Sequence, residues 1–108
     1  MEYSVKLTPN AIEQIQETIA YISKELLEPE IARAWFDYLR KEIEGLSTMP
    51  ARFSVVKEEP WLSRGYRKMV VKNFVVYYYV DGERRIVWVT AVIYGRRDQL
   101  DVLKNMPI

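Results

Sequence analysis

The stretch Tyr66-Arg-Lys-Met-Val-Val-Lys-Asn-Phe-Val-Val-Tyr-Tyr-Tyr-Val-Asp-Gly-Glu-Arg-Arg-Ile-Val-Trp-Val-Thr-Ala-Val-Ile-Tyr94 decides the fold. β-branched and aromatic residues, which fit a pleated surface, dominate it. Two turn signals cut it in three. Lys72-Asn73 is one, because Asn tolerates positive φ, and Asp81-Gly82 is the stronger. Strands are therefore expected over residues 66–71, 74–80 and 85–94. In the last of these both alternating sets are apolar: Ile86, Trp88 and Val92 on one side, Val87, Val89 and Ile93 on the other. Such a strand is covered on both faces, which places it inside the sheet.

Upstream of this stretch the period changes. Tyr3, Val5 and Leu7 alternate as a short strand over residues 3–7. Thr8-Pro9 then supplies an N-cap residue followed by a proline at the first helical position, where a missing N–H costs nothing. Ile12, Ile15, Ile19 and Ile22 form one apolar stripe, with Glu13, Gln14, Glu17 and Lys24 on the polar face. Pro29 opens a second helix whose stripe is Ile31, Trp35, Tyr38, Leu39, Ile43 and Leu46. Gly45, Pro50 and a mixed segment over residues 51–63 end the helical region, and residues 98–104 suit a last helical turn. The fold class is α+β, one domain over residues 1–108, in the order β-α-α-β-β-β. An N-terminal strand is followed by an antiparallel helical hairpin, then by a three-stranded antiparallel meander. Trp35 and Trp88 fall on these patterns, so core packing explains them better than ligand contact.

Composition narrows the function classes. Hydrophobic residues make up 49% and charged residues 29%, as in ordinary globular chains. Cysteine and histidine are both absent, which excludes a disulfide framework, a thiolate or imidazole metal site and His-based acid–base chemistry. No metal and no cofactor are expected. The run from Phe74 to Val80 is too short to cross a bilayer, and the first residues lack the layout of a secretion signal. These features point to a cytoplasmic protein with no membrane partner.

The net charge of +1 conceals a division. Residues 1–50 carry five Lys/Arg against nine Asp/Glu, whereas residues 51–108 carry eleven against six. Basic residues gather where strands begin and end: Arg64, Arg67 and Lys68 entering the first hairpin strand, Arg96 and Arg97 after the last. In a meander these ends are expected to share an edge, giving a cationic patch with Tyr94 beside it. Arg and Lys there suit phosphate contacts, and tyrosine rings suit stacking on bases. The plainer reading is a set of charged strand ends that blocks sheet-to-sheet aggregation. No Gly-rich phosphate loop and no nucleophile elbow is present, and the Glu58-Glu59 pair precedes Pro60 as solvated surface.

With these residues in view, the run from Arg64 to Asp81 followed by Ile86 to Asp98 resembles the RelE/ParE superfamily of toxins from type II toxin–antitoxin modules. The similarity covers nearly the whole chain, including the Thr8-Pro9-Asn10-Ala11 helix start, and Tyr94-Gly95-Arg96-Arg97-Asp98 is its most specific piece. The resemblance implies a cytoplasmic growth-arresting toxin masked by a cognate antitoxin in a hetero-oligomer. It also implies one of two targets. RelE-like members cleave mRNA on the ribosome through the substrate 2′-hydroxyl, which needs a base, an acid and cations around the phosphorane. ParE-like members poison DNA gyrase without such an array.

Carried across residue by residue, the ribonuclease pattern survives in part. Arg67 and Arg97 match family cations, and Tyr94 stands where some relatives have histidine. These three are the catalytic candidates if the chain is a ribonuclease. Arg64, Lys68 and Arg96 are the candidates for target or nucleic-acid binding. Met69 replaces an expected lysine, Phe74 the hairpin arginine and Leu103 a C-terminal tyrosine. With a Lys72-Asn73 turn, residues 67, 69, 74, 76 and 78 share one face, so apolar Met69 and Phe74 weaken electrostatic catalysis there. The departures favour the gyrase-directed branch over the mRNA interferase. A third reading is an inactive nucleic-acid-binding or structural relative.

Overall fold

A computed structural model describes residues 2–95 of the chain. Strand β1 (Ser4–Leu7) leads into helix α1 (Pro9–Ala20), which continues as a wide π turn over Tyr21–Glu25. Helix α2 (Pro29–Glu44) returns beside it, and two short 3-10 turns follow at Gly45–Ser47 and Pro50–Arg52. Strands β2 (Ser54–Val55), β3 (Arg67–Val71), β4 (Phe74–Asp81) and β5 (Ile86–Tyr94) complete the fold. The helix start follows the sequence signal: the Thr8 hydroxyl accepts from the Ala11 amide and Pro9 opens the first turn.

The sheet has the order β1-β5-β4-β3-β2. The meander β3-β4-β5 is antiparallel as expected, but β1 joins β5 in parallel, with Val5 opposite Val87 and Leu7 opposite Val89. The sheet is thus mixed, because the helical hairpin carries the chain back to the end at which β1 started. The two-residue β2 against Lys68 and Arg67 was not expected; so short a strand leaves no alternation to read. β5 is flanked on both sides and buried at Val87, Val89, Ala91, Val92 and Ile93.

Both tight turns are present, with different chemistry from that expected. Lys72, not Asn73, carries the positive φ of 54°. Beyond β4 the chain spends residues 82–85 on its turn, and the left-handed residue is Arg85 rather than Gly82. Asp81 organises that turn by accepting from the Arg84 amide at 3.1 Å.

The helices pack on one face of the sheet. Ala11, Ile15, Leu39, Ile43 and Leu46 meet Met69, Val71, Val76, Tyr78, Val87, Val89 and Val92. The buried line on α2 is Ala32, Leu39 and Ile43, with Trp35 half-buried; Ile31 and Tyr38 lie off that line and are exposed. Ile12 likewise faces outward, its expected place taken by Ala11. The other face is covered by residues 56–66, most of which fall in the mixed segment 51–63 that showed no period in the sequence. Val56, Trp61 and Tyr66 close over Tyr77, Ala91 and Ile93 to form a second small core. Trp88 lies beyond this cover and is half-buried, with the Lys6 ammonium 5.9 Å from its ring centre.

The β4–β5 register slips between Tyr77 and Tyr78, leaving Thr90 as an extra residue on β5. Helix α1 supplies the partners that the bulge requires. Asn10 donates to the Thr90 carbonyl at 2.9 Å, and the Gln14 side-chain oxygen accepts from the Val92 amide at 2.9 Å. A bulge of this kind bends the strand, and here it aims the last turn of β5 toward α1.

Candidate functional site

The bent end of β5 and the last turns of α1 enclose an open groove of about 750 Å³. Gln14, Glu17, Thr18 and Tyr21 line its helical wall, and Phe74, Val92 and Tyr94 line its sheet wall. Three rings set the position of Tyr94. Trp35 lies 4.9 Å from Phe74, and Phe74 meets Tyr94 edge-on at 5.6 Å. Directly after Tyr94, the Gly95 amide donates to the Asn73 carbonyl at 2.7 Å. A Cβ at Gly95 would stand 3.1 Å from that same oxygen, so glycine is what permits the close approach.

The groove brings a phenol, a carboxylate, an amide and a hydroxyl to one apolar-walled cleft. Sequence reading found Tyr94 but treated Gln14 and Glu17 as solvent-facing. Their spacing with Thr18, three and four residues apart, places all three on one helical face. That signal becomes specific only once α1 is known to cross the end of β5.

The four candidate residues that are described, Arg64, Arg67, Lys68 and Tyr94, do not form one patch. Arg67 lies opposite Tyr78, which in turn lies opposite Val89, whereas Tyr94 lies opposite Phe74 and so level with Val71. Arg67 and Tyr94 are therefore on the same face but separated by about 13 Å along the strands. The expected shared edge fails because β3 and β5 run parallel to one another: their starts lie together, and the start of one is far from the end of the other. Lys68 projects from the opposite face to Arg67, as alternation requires, and is exposed. Arg64 is exposed in the segment that covers this second face, where its charge acts on Tyr66. Arg96 and Arg97, with Asp98, Leu103 and the proposed last helical turn, lie outside the described residues.

Arg67 has a structural engagement. Its guanidinium donates to the Phe53 carbonyl at 2.6 Å, tying β3 to the chain entering β2. Next to it the buried Tyr78 hydroxyl donates to the Pro50 carbonyl. Burial pushes the Tyr78 phenol up, partly offset by Arg67 and Arg52. On the other face burial pushes Tyr77 up to about 12, with Glu58 adding to the rise, and Tyr66 is raised by burial and by Tyr79. The Glu58-Glu59 pair is surface, as read. Glu59 accepts from the Ser63 amide at 2.9 Å, and the hydrogen bonds from Ser63 hold its carboxyl below the usual range. Among the described residues no group of acidic side chains converges as a metal site would require, and no helix is long and apolar enough to cross a membrane.

The fold, a helical hairpin on a mixed sheet, is similar to that of solved toxin–antitoxin toxins. The ParDE system of P. aeruginosa aligns at a TM-score of 0.70 and 17% identity, covering 86% of this chain and 96% of that one. The toxin–antitoxin complex RelBE2 from Mycobacterium tuberculosis gives 0.59 and 20%, covering 87% and 99%. A mutant of the E. coli toxin RelE in the free state gives 0.61 and 14%, covering 94% and 93%. At these identities the likeness establishes the fold. No curated protein matches the sequence. The family model for the ParE toxin of the type II toxin–antitoxin system parDE matches residues 5–99. The chain belongs to that family, within the RelE/ParE superfamily of toxins.

Proposed function

We propose that this toxin arrests growth by poisoning DNA gyrase rather than by cleaving mRNA. The observation that carries the reading is the chemistry of the helix-side sheet face. A phosphoryl-transfer site needs several cations converging on one phosphate. Here Met69 is fully buried, Phe74 is packed between Trp35 and Tyr94, and the Arg67 guanidinium is engaged by the Phe53 carbonyl. The family model that matches the chain is that of the ParE toxin, the branch whose resemblance implies gyrase as the target. The type II family assigns the toxin a cognate antitoxin as its masking partner. Arg64, Lys68 and Arg96 remain the proposed target contacts.

The test is induction of the chain alone in bacteria while mRNA integrity and gyrase-linked DNA breaks are followed together. Arrest with intact mRNA and accumulating breaks is the expected result, and purified toxin should trap cleaved DNA on purified gyrase. Changing Arg96 and Arg97 together to alanine should relieve arrest in a protein that still folds. Undiminished toxicity of that double variant would remove both residues from the site. Rapid cleavage within coding regions would instead establish the mRNA interferase reading. One observation favours that alternative: Tyr94 and Glu17 line the same groove, an acid and a base facing one cleft. Tyr94 and Arg97 would be its catalytic residues, with Arg67 standing about 13 Å away along the strands, and Tyr94→Phe should then abolish cleavage.

A further inference from the structure

The far end of the helical hairpin breaks two local rules at one residue. Leu27, two residues beyond the π turn, has φ 54°. That left-handed position is ordinarily filled by Gly or Asn, because a larger side chain is strained there. Leu27 is also 78% exposed, the most open of the large apolar residues among those described. Leu26 and Ile31 beside it are 51% and 56% exposed, and none of the three belongs to either core. The fold gains nothing from leucine at this point: asparagine would relieve the strain, and any polar residue would be better solvated. An apolar residue held in a strained, exposed position marks a surface shaped for contact.

The surrounding charge selects the occupant. Glu25, Glu28 and Glu30 are all exposed around the apolar tip, with Lys24 the one cation among them. Nucleic acid is repelled by three carboxylates, and a second copy meeting this tip head to head would bring two such sets together. We infer that the hairpin tip is a docking surface for a protein partner that presents apolar side chains ringed by Lys or Arg. The Leu26, Leu27 and Ile31 side chains enter the partner's apolar centre, and the three glutamates pair with its cationic rim. This surface lies at the turn of the hairpin, distinct from the cationic positions of the second half of the chain, and it stands independently of the choice between gyrase and mRNA.

Leu27→Asn is the decisive variant, since Asn accepts the left-handed backbone and removes only the apolar side chain. The full chain is titrated with an amphipathic helical peptide of Leu and Lys, a matching peptide of Leu and Glu, and a single-stranded oligonucleotide, while backbone amide shifts are followed. The Leu/Lys peptide should move the amides of residues 24–31. Leu27→Asn should weaken that binding about tenfold or more without lowering the thermal midpoint. The Leu/Glu peptide and the oligonucleotide should leave these amides unmoved. Equal responses to both peptides, oligonucleotide binding at the tip, concentration-dependent self-association through it, no response to Leu/Lys, or unchanged affinity in Leu27→Asn would each overturn the assignment. Loss of growth arrest in the induction experiment with the peptide response intact would strike the toxin reading alone.

Discussion

Removing the Arg67 side chain would leave the Phe53 carbonyl without its donor in a partly buried place, whereas a catalytic arginine could be removed at little cost to stability. Arg67→Ala should therefore destabilise the fold by about 2 kcal/mol, the cost of stranding a polar group. Urea unfolding of the variant measures it, and a loss below about 0.5 kcal/mol would return Arg67 to the pool of free cations. The role of this residue was not legible in the sequence. Its spacing from Met69 showed which face it occupies, but which carbonyl it meets depends on where residues 50–53 pass, and nothing local determines that path. Tyr94 was legible because it closes a strand directly before glycine, and that Gly95 has a physical reason in the 3.1 Å approach to Asn73.

Among the elements, the four strands with a clear period were read within a residue of their bounds, and both helices were found at their proline starts. What escaped depends on distant partners. The parallel placement of β1, the two residues of β2 and the cover over the second face are decided by tertiary pairing, and the cover in particular has no period to find. Trp61 shows the consequence. It was passed over in a segment read as loop, yet it is buried among Tyr66, Tyr77 and Ile93. Trp61→Ala should cost about 3 kcal/mol, as for a large aromatic in a core. A change under about 1 kcal/mol in denaturant would mean that the cover is detachable. The Thr90 bulge offers a finer test. Asn10→Ala removes one donor to the bulged carbonyl and should cost about 1 kcal/mol, measured in the same way.

Over the whole molecule, three buried tyrosines with raised pKa values make stability depend on alkaline pH. Tyr77, at about 12 in the folded state, keeps its proton between pH 10 and 12, while the unfolded chain releases it near 10. The folded state then binds more protons, so stability is complete below pH 10 and falls as pH rises through this window. Tyr66 and Tyr78 shift in the same direction and steepen the fall. Each contributes at most about 1.4 kcal/mol per pH unit. Unfolding midpoints at pH 8, 9 and 9.5 should agree, and those above pH 10 should drop; a flat profile to pH 11.5 would show that the phenols are open to solvent.

The parallel pairing of β1 with β5 ties the first strand made to the last. On the ribosome, roughly 4–16 s separate Ser4 from Ile86 at ordinary rates of synthesis. Throughout that interval the helices can form, but β1 has no neighbour and the sheet no second layer. The pairing that completes β1 therefore forms only when β5 has been made. A chain truncated before Tyr94 lacks the full sheet wall of the groove, so its assembly is tied by topology to the synthesis of β5.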